Sequence, residues 1–278
     1  MKLLIDSGAT KTDFFLKTQH HEIIKFQCDG INVNYVDDPY IETQFKNFIN
    51  QLHNIDYKHI SKIKYYGAGC LNKINANRVL QILTRLFENA KVAVYSDLVA
   101  VCHALLDDQP GYVGILGTGA ASCFYDGQEI VDKAPSLGYI LGDEGSGSHL
   151  GKLFLTAYLK REISKPLTTD FEHYFNLSHD MVIPKLYKES QPQKFLSSIP
   201  PFLLENIKNK EIYSLVFHSF NQFFQNQTQY YKKEEIAWNI SGSVGFHFAD
   251  ILHQSAYQNN MTINKIIKSP LNELIDKI

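Results

Sequence analysis

The chain has 278 residues, of which 44% are hydrophobic and 20% charged, so it is long enough to bury a large core and near the size at which one core divides into two. A net charge of -2, without long runs of like charge, excludes the electrostatic footprint expected of a nucleic-acid-binding protein or a polybasic membrane anchor. Four cysteines lie far apart without a CxxC pair, which argues against a zinc site or a disulfide framework. The expected partner is a small molecule.

The first apolar run, Leu3-Leu4-Ile5, is too short for the hydrophobic region of a signal peptide. No later stretch approaches the length of a membrane span. The sequence therefore predicts a cytoplasmic protein.

The first part of the chain alternates short strands with helices. Residues 2–6 and 13–17 are strand-like and are joined by a turn of small and polar residues, which predicts a β-hairpin. Apolar spacing then predicts a third strand near 22–27, a helix at 41–53, a strand from Ile63, a helix at 74–89, a strand at 91–95 and a helix from Leu98. This alternation is typical of an α/β sheet.

Residues 111–126 repeat the opening plan of strand, glycine-threonine turn and strand. The repeat predicts two similar α/β domains that face each other across a shared cleft. We expect an N-terminal domain at 1–110, a C-terminal domain at 111–264 with a helical insert at about 150–235, and a C-terminal helix within 265–278 that packs on the first domain. The second domain should also contain a strand at 237–240 followed by a helix.

Both turns have the chemistry of a phosphate site. Glycine-rich turns expose consecutive backbone N–H groups, and Thr10, Lys11 and Thr12 add hydroxyls and a positive charge to the first turn. The second turn, Gly117-Thr118-Gly119, exposes backbone N–H groups in the same way. Neither is a Walker A loop, since GxxxxGK[ST] is absent, and either turn alone is equally well explained as a tight hairpin tip.

Taken together, the motifs resemble those of a known family. The run DSGATKT at 6–12 resembles the first phosphate motif of the actin-like kinases, LGTGAAS at 116–122 the second, and ISGSV at 240–244 the adenosine motif, in the family's order. The run GYILGDEGSG at 138–147 is similar to the GDEGS stretch of N-acetylglucosamine kinases and BadF/BadG-type ATPases. The resemblance implies an α/β fold of two ribonuclease H-like, actin-like ATPase domains that face a central cleft, with a helical insert in the second.

The resemblance also implies the cofactors ATP and Mg2+ and a set of nucleotide-binding residues. Those residues are Gly8, Ala9, Thr10, Lys11, Thr12, Gly117, Thr118, Gly119, Gly242 and Ser243. Asp6 matches the aspartate that holds magnesium through water. A turn-capping role for Asp6, and a simple strand-to-helix turn at Gly242-Ser243, are the alternative interpretations.

Asp97 is the predicted catalytic base, because the family's base lies in a strand-to-helix segment of this kind. A carboxylate there could accept the proton of a sugar hydroxyl as the phosphoryl group leaves ATP. The alternative is capping of the following helix by Ser96 or Asp97.

The resemblance assigns sugar binding to Asn34, Asp97, Thr118 and Asp143, with Asn32 as a competing match for Asn34. Acceptor-only carboxylates such as Asp143 suit the hydroxyls of a polyol. Ala120 and Ala121 stand where mammalian-type kinases carry Ser-Asn, so the identity of the sugar stays open. We assign His103, His149 and Trp238 to packing or to the surface.

The leading hypothesis is an ATP-dependent kinase for a hydroxyl of an amino sugar, most simply N-acetylglucosamine. The alternatives are a kinase of the same fold for N-acetylmuramic acid, glucosamine or another hexose, a BadF-type ATPase activator of a dehydratase, and a sugar sensor. The partners are then a sugar and ATP, with no nucleic acid and no membrane, and a homodimer is compatible with the sequence.

Overall fold

A computed structural model describes residues 1–53, 55–188, 191–231 and 237–277. The chain divides into two compact units, each with its own hydrophobic core. The first unit is Met1–Asp107 together with the C-terminal segment that begins at Pro270, and the second is Asp108–Ser269. None of the helices in the described ranges is both long enough and apolar enough to cross a bilayer.

The first unit is a five-stranded mixed sheet with helices. Its strands are β1 (Lys2–Ser7), β2 (Lys11–Lys17), β3 (Ile23–Asp29), β4 (Lys62–Gly67) and β5 (Lys91–Ser96), and its helices are α1 (Asp38–Gln51), α2 (Lys73–Leu86) and α3 (Asp97–Leu105). The strand order is β3-β2-β1-β4-β5. Strands β1, β2 and β3 are antiparallel neighbours, whereas β4 and β5 run parallel to β1. The predicted N-terminal hairpin is confirmed.

Local signals explain where α1 begins. The side chain of Asp37 accepts a hydrogen bond from the Tyr40 backbone N–H at 3.0 Å, which caps the helix four residues before the first apolar residue of the predicted pattern. The buried face of α1 includes Phe48, whose ring stacks on Phe14 of β2 at 4.4 Å between centroids. The helix is thus held on the sheet by its aromatic face.

The second unit repeats the sheet and adds more helices. Its strands are β6 (Gly111–Leu116), β7 (Ala120–Tyr125), β8 (Ile130–Lys133), β9 (Trp238–Ser241) and β10 (Ile263–Ile267). Its helices are α4 (Gly138–Leu141), α5 (Gly147–Leu159), α6 (Lys165–Phe175), α7 (His179–Tyr187), α8 (Pro192–Leu196), α9 (Pro200–Glu205), α10 (Lys210–Thr228), α11 (Ser243–His247) and α12 (Ala249–Gln258). A last helix, α13 (Leu271–Leu274), belongs to the C-terminal segment of the first unit.

The strand order of the second sheet, β10-β9-β6-β7-β8, is that of the first sheet read from the other end. Three antiparallel strands, β6, β7 and β8, are followed by the parallel strands β9 and β10. The α/β fold class and the repeated sheet are therefore confirmed. Strand β8 was not predicted, although it has the same position in the second sheet as β3 has in the first.

The helical segment predicted at about 150–235 corresponds to α5 through α10, and the end predicted for it falls in 232–236, outside the described residues. The helix predicted after β9 is two helices, because the helical conformation is interrupted at Phe248, between α11 and α12. The core of this unit is aromatic: Trp238 lies 2% exposed and stacks on Tyr112 at 5.3 Å. The assignment of Trp238 to packing is confirmed.

Candidate active site

The first phosphate turn, residues 8–12, is a closed hairpin tip. The backbone N–H of Gly8 donates to the carbonyl of Lys11 at 2.9 Å, and Ala9, Thr10 and Lys11 are exposed. A Cβ atom on Gly30 would lie 2.5 Å from the Ala9 carbonyl, so the chain after β3 passes directly behind the tip and only glycine fits there. The tip is therefore supported from behind and open to solvent in front.

The side chains of this turn differ in what they contact. Lys11 Nζ lies 2.6 Å from Asp13 Oδ2 in an exposed ion pair. Thr12 is fully buried, and its hydroxyl lies 2.7 Å from Ser7 Oγ and donates to the Asp29 carbonyl at 3.0 Å. The Thr12 hydroxyl thus holds the hairpin to β3, and a phosphate contact from it would require these bonds to be exchanged.

The structure brings Asp6 and Asp97 together. Asp6 lies near the end of β1, opposite Asp13 of β2, and Asp97 is the first residue of α3, directly after β5. Burial, followed by the negative charges of Asp97 and Asp13, raises the pKa of Asp6 to about 7, against a smaller opposing effect of Lys11. Like charges that repel in a partly buried site favour a cation between them.

Asp97 lies at the start of α3, and its carboxylate takes part in the hydrogen bonding of that helix end. Its Oδ1 accepts a hydrogen bond from the Leu98 backbone N–H at 2.9 Å, while Ser96 caps α3 by accepting from the Val99 N–H at 3.3 Å. Burial raises the pKa of Asp97, and the hydrogen bond from Leu98 opposes that shift. Ser96 is thus the residue that caps α3, and the half-buried carboxylate of Asp97 is a second acceptor at the same helix end.

The residues fit a hydrated magnesium ion. Mg2+ is usually held by one or two carboxylates and keeps several of its waters, and Asp6 and Asp97 are hard oxygen donors of that kind. Within the described part of the chain, no group of three or more His, Cys, Asp or Glu side chains could hold a metal directly. Magnesium held through water at Asp6 stays a prediction.

Both candidates for the sugar-binding asparagine lie in one loop, residues 30–36, which we call the sugar loop. Ile31 and Val33 anchor it, since they are 0% and 1% exposed. Asn32 Oδ1 accepts from the Asn34 backbone N–H at 3.1 Å, and Ser7 Oγ donates to the Ile31 carbonyl at 3.2 Å. Ser7 thus ties the sugar loop to the end of β1, a link that the sequence analysis missed because Ser7 read only as a turn residue.

In the second unit the second phosphate turn, residues 117–119, meets the GDEGS segment. Ser146 caps α5 and accepts from the His149 N–H at 3.1 Å. The first residues of α5 then bond to the turn: the Gly147 N–H donates to the Gly117 carbonyl at 2.8 Å, and Ser148 Oγ donates to the Thr118 carbonyl at 2.6 Å. The start of α5 therefore fixes the backbone of the turn, a role for Ser148 that the sequence analysis missed.

Asp143 lies against the same turn. Its backbone is left-handed, with φ of 59°, and a Cβ atom on Gly119 would lie 2.9 Å from Asp143 Oδ2. Burial raises the pKa of Asp143 and Glu144 adds to the shift, while a hydrogen bond from the Ala120 backbone and the charge of Lys152 oppose it. The carboxylate beside Gly119 thus belongs to a residue with an uncommon backbone conformation.

The third motif of this unit also reaches the turn. Gly242 has φ of 125°, and a Cβ atom there would lie 2.3 Å from the Leu116 carbonyl. Only glycine permits this approach of two backbones. The structure therefore gathers Gly117, Asp143 and Gly242 within one unit, with Ser243 exposed beside them.

No family model matches the chain, and no curated protein matches it. Several solved structures match it. A structure from Porphyromonas gingivalis, provisionally assigned as an N-acetylglucosamine kinase, is 32% identical over 99% of this chain and 98% of that chain, with a TM-score of 0.94.

Two more distant structures share the architecture. A protein from Chromobacterium violaceum with the same provisional assignment is 17% identical over 98% of this chain and 96% of that chain, with a TM-score of 0.71. A ROK family glucokinase from Streptomyces griseus, in complex with glucose and AMPPNP, is 12% identical over 98% of this chain and 95% of that chain, with a TM-score of 0.57. At these identities the likeness shows a shared fold and nothing further.

The paired sheets and the fold shared with these structures define the class, an actin-like fold of the sugar-kinase type. Within that class the identity to the Porphyromonas gingivalis structure over nearly the whole of both chains shows the family. The chain belongs to the N-acetylglucosamine kinase family of ATP-dependent sugar kinases.

Proposed function

We propose that the protein phosphorylates a hydroxyl group of N-acetylglucosamine with ATP as the phosphoryl donor. The observation that carries this proposal is the 32% identity, over 99% of the chain, to a protein provisionally assigned as an N-acetylglucosamine kinase. The pairing of Asp6 with Asp97 at the end of the first sheet supports it, because phosphoryl transfer needs a carboxylate near the metal and another near the attacking hydroxyl.

Asp97 acts as the base in this proposal. The sugar hydroxyl oxygen forms a bond to the γ-phosphorus while the bond from that phosphorus to the β–γ bridging oxygen breaks, so ADP leaves and the hydroxyl proton passes to Asp97. Oδ1 is engaged by the Leu98 N–H, and the second carboxylate oxygen receives the proton. A raised pKa makes Asp97 a stronger proton acceptor than an exposed aspartate.

The two glycine turns bind the phosphates. Residues 8–12 and Gly117, Thr118 and Gly119 offer backbone N–H groups, with the hydroxyl of Thr10 and the charge of Lys11 in addition. Gly242 and Ser243 bind the adenosine part. Magnesium held through water at Asp6 would neutralise charge on the phosphate oxygens.

The sugar hydroxyls bond to Asn34 or Asn32, to Asp97, to Thr118 and to Asp143. Carboxylates and side-chain amides are suited to polyols because each offers acceptors, and the amides offer donors as well. The half-buried acceptors Asp97 and Asp143 penalise a ligand that lacks the matching hydroxyl.

The first test is ADP release with MgATP across N-acetylglucosamine, N-acetylmuramic acid, glucosamine, N-acetylmannosamine and glucose, for wild type and for Asp97→Asn. We expect the highest kcat/KM with N-acetylglucosamine. Asp97→Asn should lower kcat by at least about a hundredfold, the usual contribution of a general base. ATP binding should persist, which equilibrium binding of the nucleotide would check.

Asp107→Asn is the matched control, because this exposed aspartate follows the other end of α3 and pairs with Lys277. It should leave kcat unchanged. Turnover with another sugar of the panel would keep the kinase and correct its substrate. If no sugar increased ADP release, the kinase proposal would be wrong, and a sugar sensor or an ATPase partner would replace it.

A further inference from the structure

The sugar loop is an irregular segment whose shape depends on bonds from outside it. It connects β3 to α1 and forms no strand or helix of its own. Ordering each residue of such a segment costs conformational entropy, so a loop that binds ligand in one conformation needs compensating contacts. Several of those contacts come from one face of α2.

Arg78 of α2 contacts three acceptors on the chain that contains the loop. Its Nη1 donates to the Val33 carbonyl at 3.1 Å and its Nη2 to the Val36 carbonyl at 2.9 Å. Its Nε donates to Asp38 Oδ1 at 2.7 Å, at the start of α1. A planar guanidinium with fixed donors can hold three such acceptors at once, which a lysine ammonium on a flexible stem cannot do with the same geometry.

Asn75, one turn earlier on α2, completes the arrangement. Its Nδ2 donates to Asn34 Oδ1 at 2.8 Å and to the Gly69 carbonyl at 3.2 Å, while its Oδ1 accepts from Arg78 Nη1 at 3.4 Å. The side chain of Asn34, exposed and otherwise mobile about its torsions, is thereby turned to one orientation with its own amide nitrogen still available.

The segment after β4 supports the loop from the other side. The Val33 N–H donates to the Ala68 carbonyl at 3.2 Å. Gly69 has φ of 85°, and a Cβ atom there would lie 3.1 Å from the Asn34 backbone nitrogen. Asn34 is thus held between Asn75 and a glycine that leaves it room.

We propose that Arg78 and Asn75 are positioning residues, which hold Asn32 and Asn34 in the conformation that binds the sugar. This inference rests on the proposed function, since it assigns sugar binding to the loop. Neither residue touches the reacting atoms. Their effect falls on the affinity for sugar, and the rate of phosphoryl transfer from bound substrates and the affinity for ATP are left unchanged.

The test is steady-state kinetics with N-acetylglucosamine and MgATP for Arg78→Ala, Arg78→Lys and Asn75→Ala. Arg78→Ala should raise the KM for sugar at least about tenfold, because two carbonyls and a carboxylate lose a charged donor. Asn75→Ala should raise it by a smaller factor, and Arg78→Lys should fall between Arg78→Ala and wild type. Changes in kcat and in the KM for ATP should stay within about twofold.

Arg85→Ala is the matched control, since Arg85 lies two turns further along α2 and pairs with Glu42 of α1 without contacting the loop. It should leave the KM for sugar unchanged. Should Arg78→Ala misfold, Asn75→Ala, which removes no charge, carries the test.

The inference would be overturned if Arg78→Ala lowered kcat at an unchanged KM for sugar, if it raised both KM values alike, or if Arg85→Ala reproduced its effect. Failure of the proposed function looks different, because the wild-type protein itself would then show no sugar-dependent turnover. Calorimetric titration of the sugar into each variant, without ATP, provides the same comparison at the level of binding.

Discussion

One carboxylate of the first unit, Asp6, destabilises the fold when it is ionised. The pKa of Asp6 is about 7 because the carboxylate is buried and lies near Asp97 and Asp13. Its ionised form is therefore disfavoured in the folded protein. The pKa of a free aspartate is 3.8, so between that value and about 7 the folded protein retains a proton that the unfolded chain has released. The free energy of unfolding therefore falls as the pH rises through this window.

Asp6→Asn removes this effect. At pH 8, in EDTA, we expect the variant to be more stable than wild type, by at most about 4 kcal/mol, because the asparagine has no charge to bury and none to repel Asp97. The gain should disappear at pH 4, and sugar-dependent ADP release should be lost. Denaturant unfolding at the two pH values measures the first result, with Asp107→Asn as a control that shows no gain. A variant less stable than wild type at pH 8 would contradict the inference that the ionised carboxylate of Asp6 destabilises the fold.

At the scale of the element, the start of α5 connects the second phosphate turn to the core of its unit. His149, the third residue of α5, is 4% exposed, and its Nδ1 lies 2.7 Å from Ser219 Oγ of α10. Burial, with the charges of Lys152 and His218, lowers the pKa of His149 to about 4. The imidazole is therefore neutral in the folded protein, and its assignment to packing is confirmed.

The predicted pH dependence of His149 has the opposite sign to that of Asp6. Between about pH 6.5 and pH 4 the unfolded chain binds a proton that the folded protein excludes, so stability is lost as the pH falls through this range. The loss should reach about 3 kcal/mol at most. His149→Asn keeps a polar atom near Ser219 and should unfold with a correspondingly flatter pH profile.

Urea unfolding between pH 4 and pH 7 measures the difference between the wild-type and variant profiles. His247→Asn, at an exposed position of α11, should follow the wild-type profile. Parallel profiles for wild type and His149→Asn would show that the histidine titrates normally.

At the scale of the whole molecule, the first unit is completed by the end of the chain. Helix α13 packs against α3 and β1, with Leu271, Leu274 and Ile275 between 1% and 4% exposed. Lys17 Nζ donates to the Ile275 carbonyl at 3.3 Å, and Lys277 Nζ donates to the His103 carbonyl at 2.8 Å. The second unit lies between the two parts of the first in sequence.

Removal of the chain after Ser269 should therefore destabilise the first unit by about 5 kcal/mol, since three buried apolar side chains are lost. The second unit should be unaffected. The chain has one tryptophan, Trp238, in the core of the second unit, so tryptophan fluorescence reports on that unit alone.

Hydrogen exchange in β1 and α3 reports on the first unit, and we expect it to rise in the truncated chain while the fluorescence transition stays in place. Lys277→Ala is the milder control and should change both measurements little. Equal destabilisation of the two units would contradict the prediction that the C-terminal segment stabilises the first unit alone.

Periodicity and turn chemistry predicted both hairpins, the repeat and the helices α1, α2 and α3, because those signals are local. Strand β8 was missed since it is short and largely exposed, and among the described strands it pairs with β7 alone. The break between α11 and α12 was missed as well, because the apolar spacing of the sequence continues through Phe248.

The sequence by itself determined the fold class and the order of the glycine turns and carboxylates that resemble a sugar kinase, because these depend on neighbouring residues. Only the tertiary structure decided which polar groups meet. The pKa of Asp6 in β1 depends in part on Asp97, the first residue of α3. The orientation of Asn34 depends on Asn75 and on Arg78, which binds the same loop. Electrostatic and hydrogen-bonding effects act over a few ångströms in space, and distance along the chain carries no information about them.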